Sequence, residues 1–142
     1  MKKKITYVAL LVLAVAVMSG LSRAQMVIKT QLFRVDVPFA FMAGGNHLPA
    51  GEYIVSHVDP NLIEIMKQDG SARALAHVAI EDKDGSVITK LVFNKYEGEH
   101  YFLAQVWTEH DSQVHHCTKC RRELQLIAHS EKANQTIILA KR

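Results

Sequence analysis

The sequence predicts a mainly β domain, a small antiparallel β-sandwich or open barrel with one C-terminal helix. Three observations lead there. Apolar runs of strand length recur from residue 33 to residue 107, several with period-two alternation. Clusters of Gly, Pro, Asn and Asp separate those runs at short intervals. Only 119–132 carries helical spacing, through Leu124, Ile127 and Ala128 at i, i+3 and i+4.

The elements follow in order. Phe33, Val35, Val37 and Phe39 alternate with Arg34, Asp36 and Pro38, giving a strand with one apolar face. Pro38 lacks an amide donor, so this strand belongs at a sheet edge or at a bulge. Ala43-Gly44-Gly45-Asn46 and Leu48-Pro49-Ala50-Gly51 are reversals. Tyr53–Val58 and Leu62–Lys67 are strands ended by Asp59-Pro60-Asn61 and Gln68-Asp69-Gly70. Ala72–Ile80 is a longer strand, followed by the polar loop Glu81–Ser86. Val87–Tyr96 and His100–Trp107 form the clearest hairpin, around Glu97-Gly98-Glu99. In its second strand, Phe102, Ala104 and Val106 are expected on one face, with Tyr101, Leu103 and Trp107 on the other. Both faces are apolar, which predicts a covered strand with the Trp107 ring in the core and its indole N–H hydrogen-bonded. Residues 108–117 read as a polar, His-rich connection, Thr118 as a helix cap, and Thr136–Ala140 as a last short strand.

Residues 1–24 read as a cleavable export signal: Lys2, Lys3 and Lys4, an uncharged run from Ile5 to Met18, then the small-x-small site Ser22-Arg23-Ala24. The run is shorter than the roughly 18–20 apolar residues a membrane span needs, so no stable span is expected after cleavage. The signal holds four of the 17 basic residues and no acid, which leaves 13 basic against 14 acidic residues in the mature chain. The basic balance therefore belongs to the signal, and no nucleic-acid partner is expected. Residues 25–32 are expected as a flexible lead-in and 33–142 as one domain.

Five segments occur in a familiar order: Val37-Pro38-Phe39-Ala40-Phe41, Leu48-Pro49-Ala50-Gly51-Glu52-Tyr53, Lys90-Leu91-Val92-Phe93-Asn94-Lys95-Tyr96, Tyr101-Phe102-Leu103-Ala104-Gln105-Val106-Trp107, and Arg121-Arg122-Glu123-Leu124. Together they resemble a family of short, exported, β-rich bacterial proteins with the pattern PFxF, LPAGxY, KLVFxxY, YFLxxVW and a basic RxE-type helix. The resemblance spans nearly all of the mature chain. It implies an exported single β-rich domain and carries over no catalytic or ligand residue. The chain departs from that pattern at His115-His116-Cys117-Thr118-Lys119-Cys120, where the family has an apolar or Ser-containing approach to the helix.

That departure is the one segment with chemical potential. Cys117 and Cys120 form a C-x-x-C preceded by His110, His115 and His116. Three readings stand side by side. In an oxidising compartment the two thiols would pair as a disulfide, a modest staple because the loop is short. Zinc would accept both thiolates with His115 or His116, and His110 or His129, as further ligands. A Cys at a helix N-terminus beside Lys119, Arg121 and Arg122 would have its thiolate favoured for redox exchange, although the βαβ setting usual for that chemistry is missing. Covalent haem needs C-x-x-C-H, and Arg121 follows Cys120.

Elsewhere the polar residues have plain explanations. His47, His57, His77 and His100 are scattered over turns and strands. Glu81–Gly85 lacks the pattern of a calcium loop. No serine lies in a G-x-S-x-G elbow. With no acid/base or nucleophile set assembled, no catalytic residue is named and no cofactor is expected, zinc being the alternative. The sequence points to a non-enzymatic binding or structural module of the cell envelope or secreted space. Its contacts with an envelope or secreted protein are expected through Phe39 and Phe41 on the edge strand, and Tyr101 and Trp107 on the aromatic hairpin. A thiol-redox or metal-binding role for 110–120 is the alternative.

Overall fold

The computed structural model describes residues 28–85, 88–109, 112–129 and 132–141. The export signal at 1–24, the first part of the lead-in and His110 lie outside the described residues. Ten strands and one helix follow in chain order. They are β1 (Thr30–Val37), β2 (Phe41–Ala43), β3 (Asn46–Leu48), β4 (Gly51–Asp59), β5 (Leu62–Lys67), β6 (Arg73–Asp82), β7 (Lys90–Tyr96), β8 (His100–Thr108), β9 (Gln113–Cys117), α1 (Arg121–Ala128) and β10 (Asn134–Leu139). The predicted class holds: the fold is mainly β with one C-terminal helix. No helix among the described residues is long and apolar enough to cross a membrane.

All ten strands belong to one sheet. Its main path runs β1-β4-β5-β6-β9-β8, with β7 on the far side of β8 and β10 beyond β7. Every ladder is antiparallel except one parallel bridge, Met42 to Phe102, through which β2 joins β8. The β2–β3 hairpin turns at Gly44 and Gly45, with φ of +54° and +86°. Two consecutive positive φ values are what a type I′ hairpin turn demands, and glycine supplies them without steric cost. Gly44 also lies against the backbone of β6, where a Cβ would sit 1.7 Å from the Leu75 carbonyl oxygen.

The sheet curls without closing. Its two edge strands, β1 and β10, meet through one backbone hydrogen bond, Lys141 N–H to Arg34 O at 3.0 Å, and form no ladder. The Lys141 ammonium clasps the Glu52 carboxylate across this seam, and Asp36 lies 3.8 Å from it. The inner face holds the core: Val35, Val37, Phe41, Tyr53, Val55, Ile63, Ile65, Leu91, Phe93 and Val106 are all almost fully buried. Phe41 meets Tyr53 and Phe93 edge-on, each at 5.2 Å between ring centroids, a favoured aromatic geometry. Burying a side chain of this size contributes roughly 1.5–3 kcal/mol.

Four sequence expectations need correction. Residues 30–32 are strand, not lead-in, because β1 pairs with β4 from Thr30 onward. The polar connection 108–117 contains β9, which lies between β6 and β8. In β8 the ladder register shifts opposite Val92 and Phe93, leaving Ala104 as an extra residue. Such a bulge switches the faces of a strand, so Leu103 and Val106 both join the core while Trp107 does not. Trp107 is half-buried; its Nε1–H donates to Gln105 Oε1 at 2.9 Å and Lys90 Nζ lies 4.2 Å above its ring. The helix is shorter than expected, with Cys120 and not Thr118 at its N-cap and no side-chain capping bond. The face that turns inward carries Glu123 and Leu126, while Leu124 and Ile127 are exposed.

Candidate functional site

Strand geometry takes apart the His/Cys segment. Successive side chains of β9 point to opposite faces of the sheet. His115 is therefore fully buried on the inner face, while His116 lies outward, 2.7 Å from Glu81 Oε2. Cys117 packs against the core at the end of β9, and Cys120 starts the helix; both are free thiols and do not lie near each other. Burial pushes the Cys117 thiol up to about 12, with the Glu123 carboxylate adding to the shift. A redox nucleophile needs the opposite displacement. Among the described residues no three His, Cys, Asp or Glu side chains converge as metal ligands.

The structure brings His115 to a different partner. Tyr53, Val55 and His57 follow one another at every second residue along the inner side of β4, and His57 Nε2 lies 3.0 Å from His115 Nε2. The two rings meet edge-on, with centroids 4.8 Å apart. At this distance one ring nitrogen donates and the other accepts. The sequence reading missed His57, because the pairing joins residues 58 positions apart through two strands that are not ladder neighbours.

The pair sits near one end of the curled sheet, where β1 and β7 begin and β4 and β8 finish. A cavity of about 240 Å³ opens there, lined by Thr30, Leu32, His57, Thr89, Thr108 and Glu109 among others. Thr108 is 4 % exposed, and its Oγ1 has no hydrogen-bond partner among the described residues. Leaving a hydroxyl unsatisfied in the interior costs about 1–3 kcal/mol. Thr89 Oγ1 accepts the Glu109 backbone N–H at 3.1 Å on the rim, where Glu109 is exposed. The cavity thus lies between buried Thr108, half-buried His57 and a solvated rim at Glu109. Mouths of curled sheets of this kind are frequent ligand sites.

The expected contact aromatics fare differently from one another. Phe41 is withdrawn from any surface role, being 1 % exposed and enclosed by Tyr53 and Phe93. Phe39 and Tyr101 are half-buried and stacked, with centroids 3.9 Å apart and ring planes 16° from parallel. Trp107 lies on the outer face, where the ladders align Leu139, Lys90, Trp107 and Val114 across four strands. A second polar node lies beneath α1. Buried Glu123 accepts from Asn94 Nδ2 at 2.9 Å and from the Tyr96 hydroxyl at 3.1 Å, which anchors the helix to the hairpin. A larger hollow of about 720 Å³ between the β7–β8 turn and the end of α1 is bordered by exposed charges of both signs, including Glu97, Glu99 and Lys132. Tyr96, the buried residue on its border, already commits its hydroxyl to Glu123, so the hollow reads as solvated surface.

Compared with protein-family models, curated proteins and solved structures, the chain matches none of them.

Proposed function

We propose that the chain is an exported, non-enzymatic binding module of the cell envelope or secreted space, and that the cavity floored by His57 and Thr108 is where it binds. One observation carries this reading. The inner face is apolar almost throughout, yet at one end it sets buried His115 against half-buried His57 and buries a Thr108 hydroxyl that has no hydrogen-bond partner among the described residues. An unsatisfied hydroxyl is disfavoured in an interior, and the place of Thr108 beside an open cavity supports a binding role. The export part rests on the basic, apolar and small-residue pattern of 1–24.

Native mass spectrometry of protein collected from the exported fraction of a bacterial host tests both parts. The expected species lacks residues 1–24 and carries a small non-covalent adduct that His57→Phe removes. Retention of the full-length mass in the cytoplasm would sink the export reading. A ligand-free mature protein that turns over a substrate would sink the binding reading.

The outer face supports a second reading, docking of an envelope protein. Ile137 and Leu139 are 52 % and 61 % exposed on the edge strand β10, and Leu139 aligns with Lys90 and Trp107. An edge strand with exposed apolar side chains is suited to accept another strand.

A further inference from the structure

We propose that the outward face of α1 docks onto an anionic phospholipid surface. The helix lies on the outside of the curled sheet: Phe93 belongs to the core, and Asn94, the next residue of β7, faces the other way to bond Glu123. Glu123 is the one acid of the helix, and its carboxylate is buried against the hairpin beneath, so it takes no part in the face above. That face carries Arg121, Arg122, Leu124 and Ile127, all exposed, and exposed Lys119 precedes it. Among the described residues neither arginine nor Lys119 forms an ion pair.

Charge and apolarity together match a lipid surface. Residues 118–142 hold six basic residues against two acidic ones, in a mature chain that balances 13 basic against 14 acidic. Glu97 and Glu99 lie close by on the β7–β8 turn, but Glu99 pairs with Lys95 at 3.7 Å and neither forms an ion pair with Arg121 or Arg122. A guanidinium without a carboxylate partner offers a planar fork that fits a phosphodiester and is weakly hydrated. Leu124 and Ile127, 52 % and 40 % exposed, lie one turn apart on the same side of the helix. Exposed Ile137 extends this apolar surface on the outer face of β10, since its ladder partner Val92 is two residues from Asn94. Apolar side chains flanked by arginines whose long stems reach up to the headgroups are the composition of an interfacial helix. The back of a single helix on the outside of a sheet is convex, which gives a protein partner no groove to fill, and a bilayer surface needs none.

Co-sedimentation with vesicles tests this, using protein that starts at residue 25, which lacks the apolar run of 5–18 and keeps every described strand and the helix. Partition onto phosphatidylcholine vesicles containing phosphatidylglycerol is expected, with little onto phosphatidylcholine alone, and it should weaken as salt is raised. Arg121→Gln with Arg122→Gln is expected to lower the partition constant about 25-fold, at roughly fivefold for each basic residue near a charged bilayer. Leu124→Gln with Ile127→Gln should lower it about tenfold through lost apolar insertion. All four side chains are exposed, so the thermal midpoint should hardly move in either variant. A second measurement needs no variant: in hydrogen exchange of the parent, the α1 amides should gain protection on the anionic vesicles while those of β4 and β5 keep theirs. Absence of binding to anionic vesicles, equal binding to both vesicle types, or binding that both double variants leave unaltered would overturn the proposal. So would protection gained away from α1. Retention of poly-L-glutamate in place of the vesicles would assign the face to an acidic chain and overturn the lipid surface as its partner.

Discussion

Replacing Gly44 by alanine isolates one close approach in the fold. The new Cβ would lie 1.7 Å from the Leu75 carbonyl oxygen, and that atom is backbone in the middle of β6. To regain an ordinary carbon–oxygen contact the hairpin must retreat by about 1.6 Å. The β2–β3 hairpin carries Phe41, Ala43 and Leu48, all buried in the core. A gap of that size forfeits much of their dispersion contact. The positive φ of +54° adds roughly 1–2 kcal/mol for any residue with a Cβ. Together the cost comes to about 3–4 kcal/mol, near the upper end for single substitutions. Gly45→Ala is the internal control, since it has φ +86° but nothing within 4 Å of its Cβ position. It should cost only the conformational part, about 1–2 kcal/mol. Urea unfolding followed by tryptophan fluorescence measures both, with the midpoint displaced at unchanged slope. A thermal scan should place Gly44→Ala about 10–15 °C below the parent. Equal losses in the two variants would refute the reasoning, because the hairpin would then not be seated against β6 as closely as described.

Three further outcomes are expected. Glu123→Ala removes the acceptor shared by Asn94 and Tyr96 in a buried site, and should cost about 2–4 kcal/mol. Protection of the α1 amides in hydrogen exchange should drop with it, and unchanged protection would show that the node does not anchor the helix. Native alkylation at pH 8 should modify Cys120 well ahead of Cys117, whose thiol burial pushes up to about 12; peptide mapping reads the order, and equal rates would contradict the burial. The seam between β1 and β10 should depend on pH in both directions. The Lys141 ammonium beside Glu52 holds that carboxyl below its ordinary value, so this contribution is present above the carboxylate range and lost as pH falls through the lowered value. The Glu52 carboxylate in turn raises Lys141 above its ordinary 10.5, so that contribution is full below this value and fades as pH climbs through the raised one. Exchange protection of the Lys141 amide, corrected for intrinsic rate, should fall on acidification and be insensitive to it in Lys141→Met.

Most of the strand pattern was legible because burial on one face writes itself as alternation, as in Phe33, Val35 and Val37. The glycine pair at 44–45 and the turn at Glu97–Glu99 announced their hairpins through turn chemistry. β9 was illegible for a physical reason. Gln113–Cys117 is polar in composition, and His115 is an interior residue paired with His57 on β4. The faces of β8 were misread because a bulge leaves no mark in a sequence that is apolar on both sides. The helix misled in a similar way. Its apolar spacing marks Leu124 and Ile127, yet a carboxylate faces inward because Asn94 and Tyr96 wait there to bond it. The C-x-x-C was a genuine sequence signal whose two ends fall on different elements, a strand end and a helix cap. The mouth could not be read at all, since Thr30, His57, Thr89 and Thr108 have no periodic relation to one another.

The position of β9 has a consequence for how the chain assembles. Strands β1, β4, β5 and β6 can pair in the order in which they leave the ribosome, and so can β7 with β8. The two blocks are joined by β9, which bridges β6 to β8, with only the small β2–β3 hairpin beside it. Until that five-residue strand is laid down, each block shows an unpaired edge of the kind that invites another chain. One molecule's β9 filling the slot of its neighbour would be the natural misassembly, a domain-swapped dimer whose hinges flank residues 113–117. This five-residue strand is thus the keystone between the two halves of the sheet.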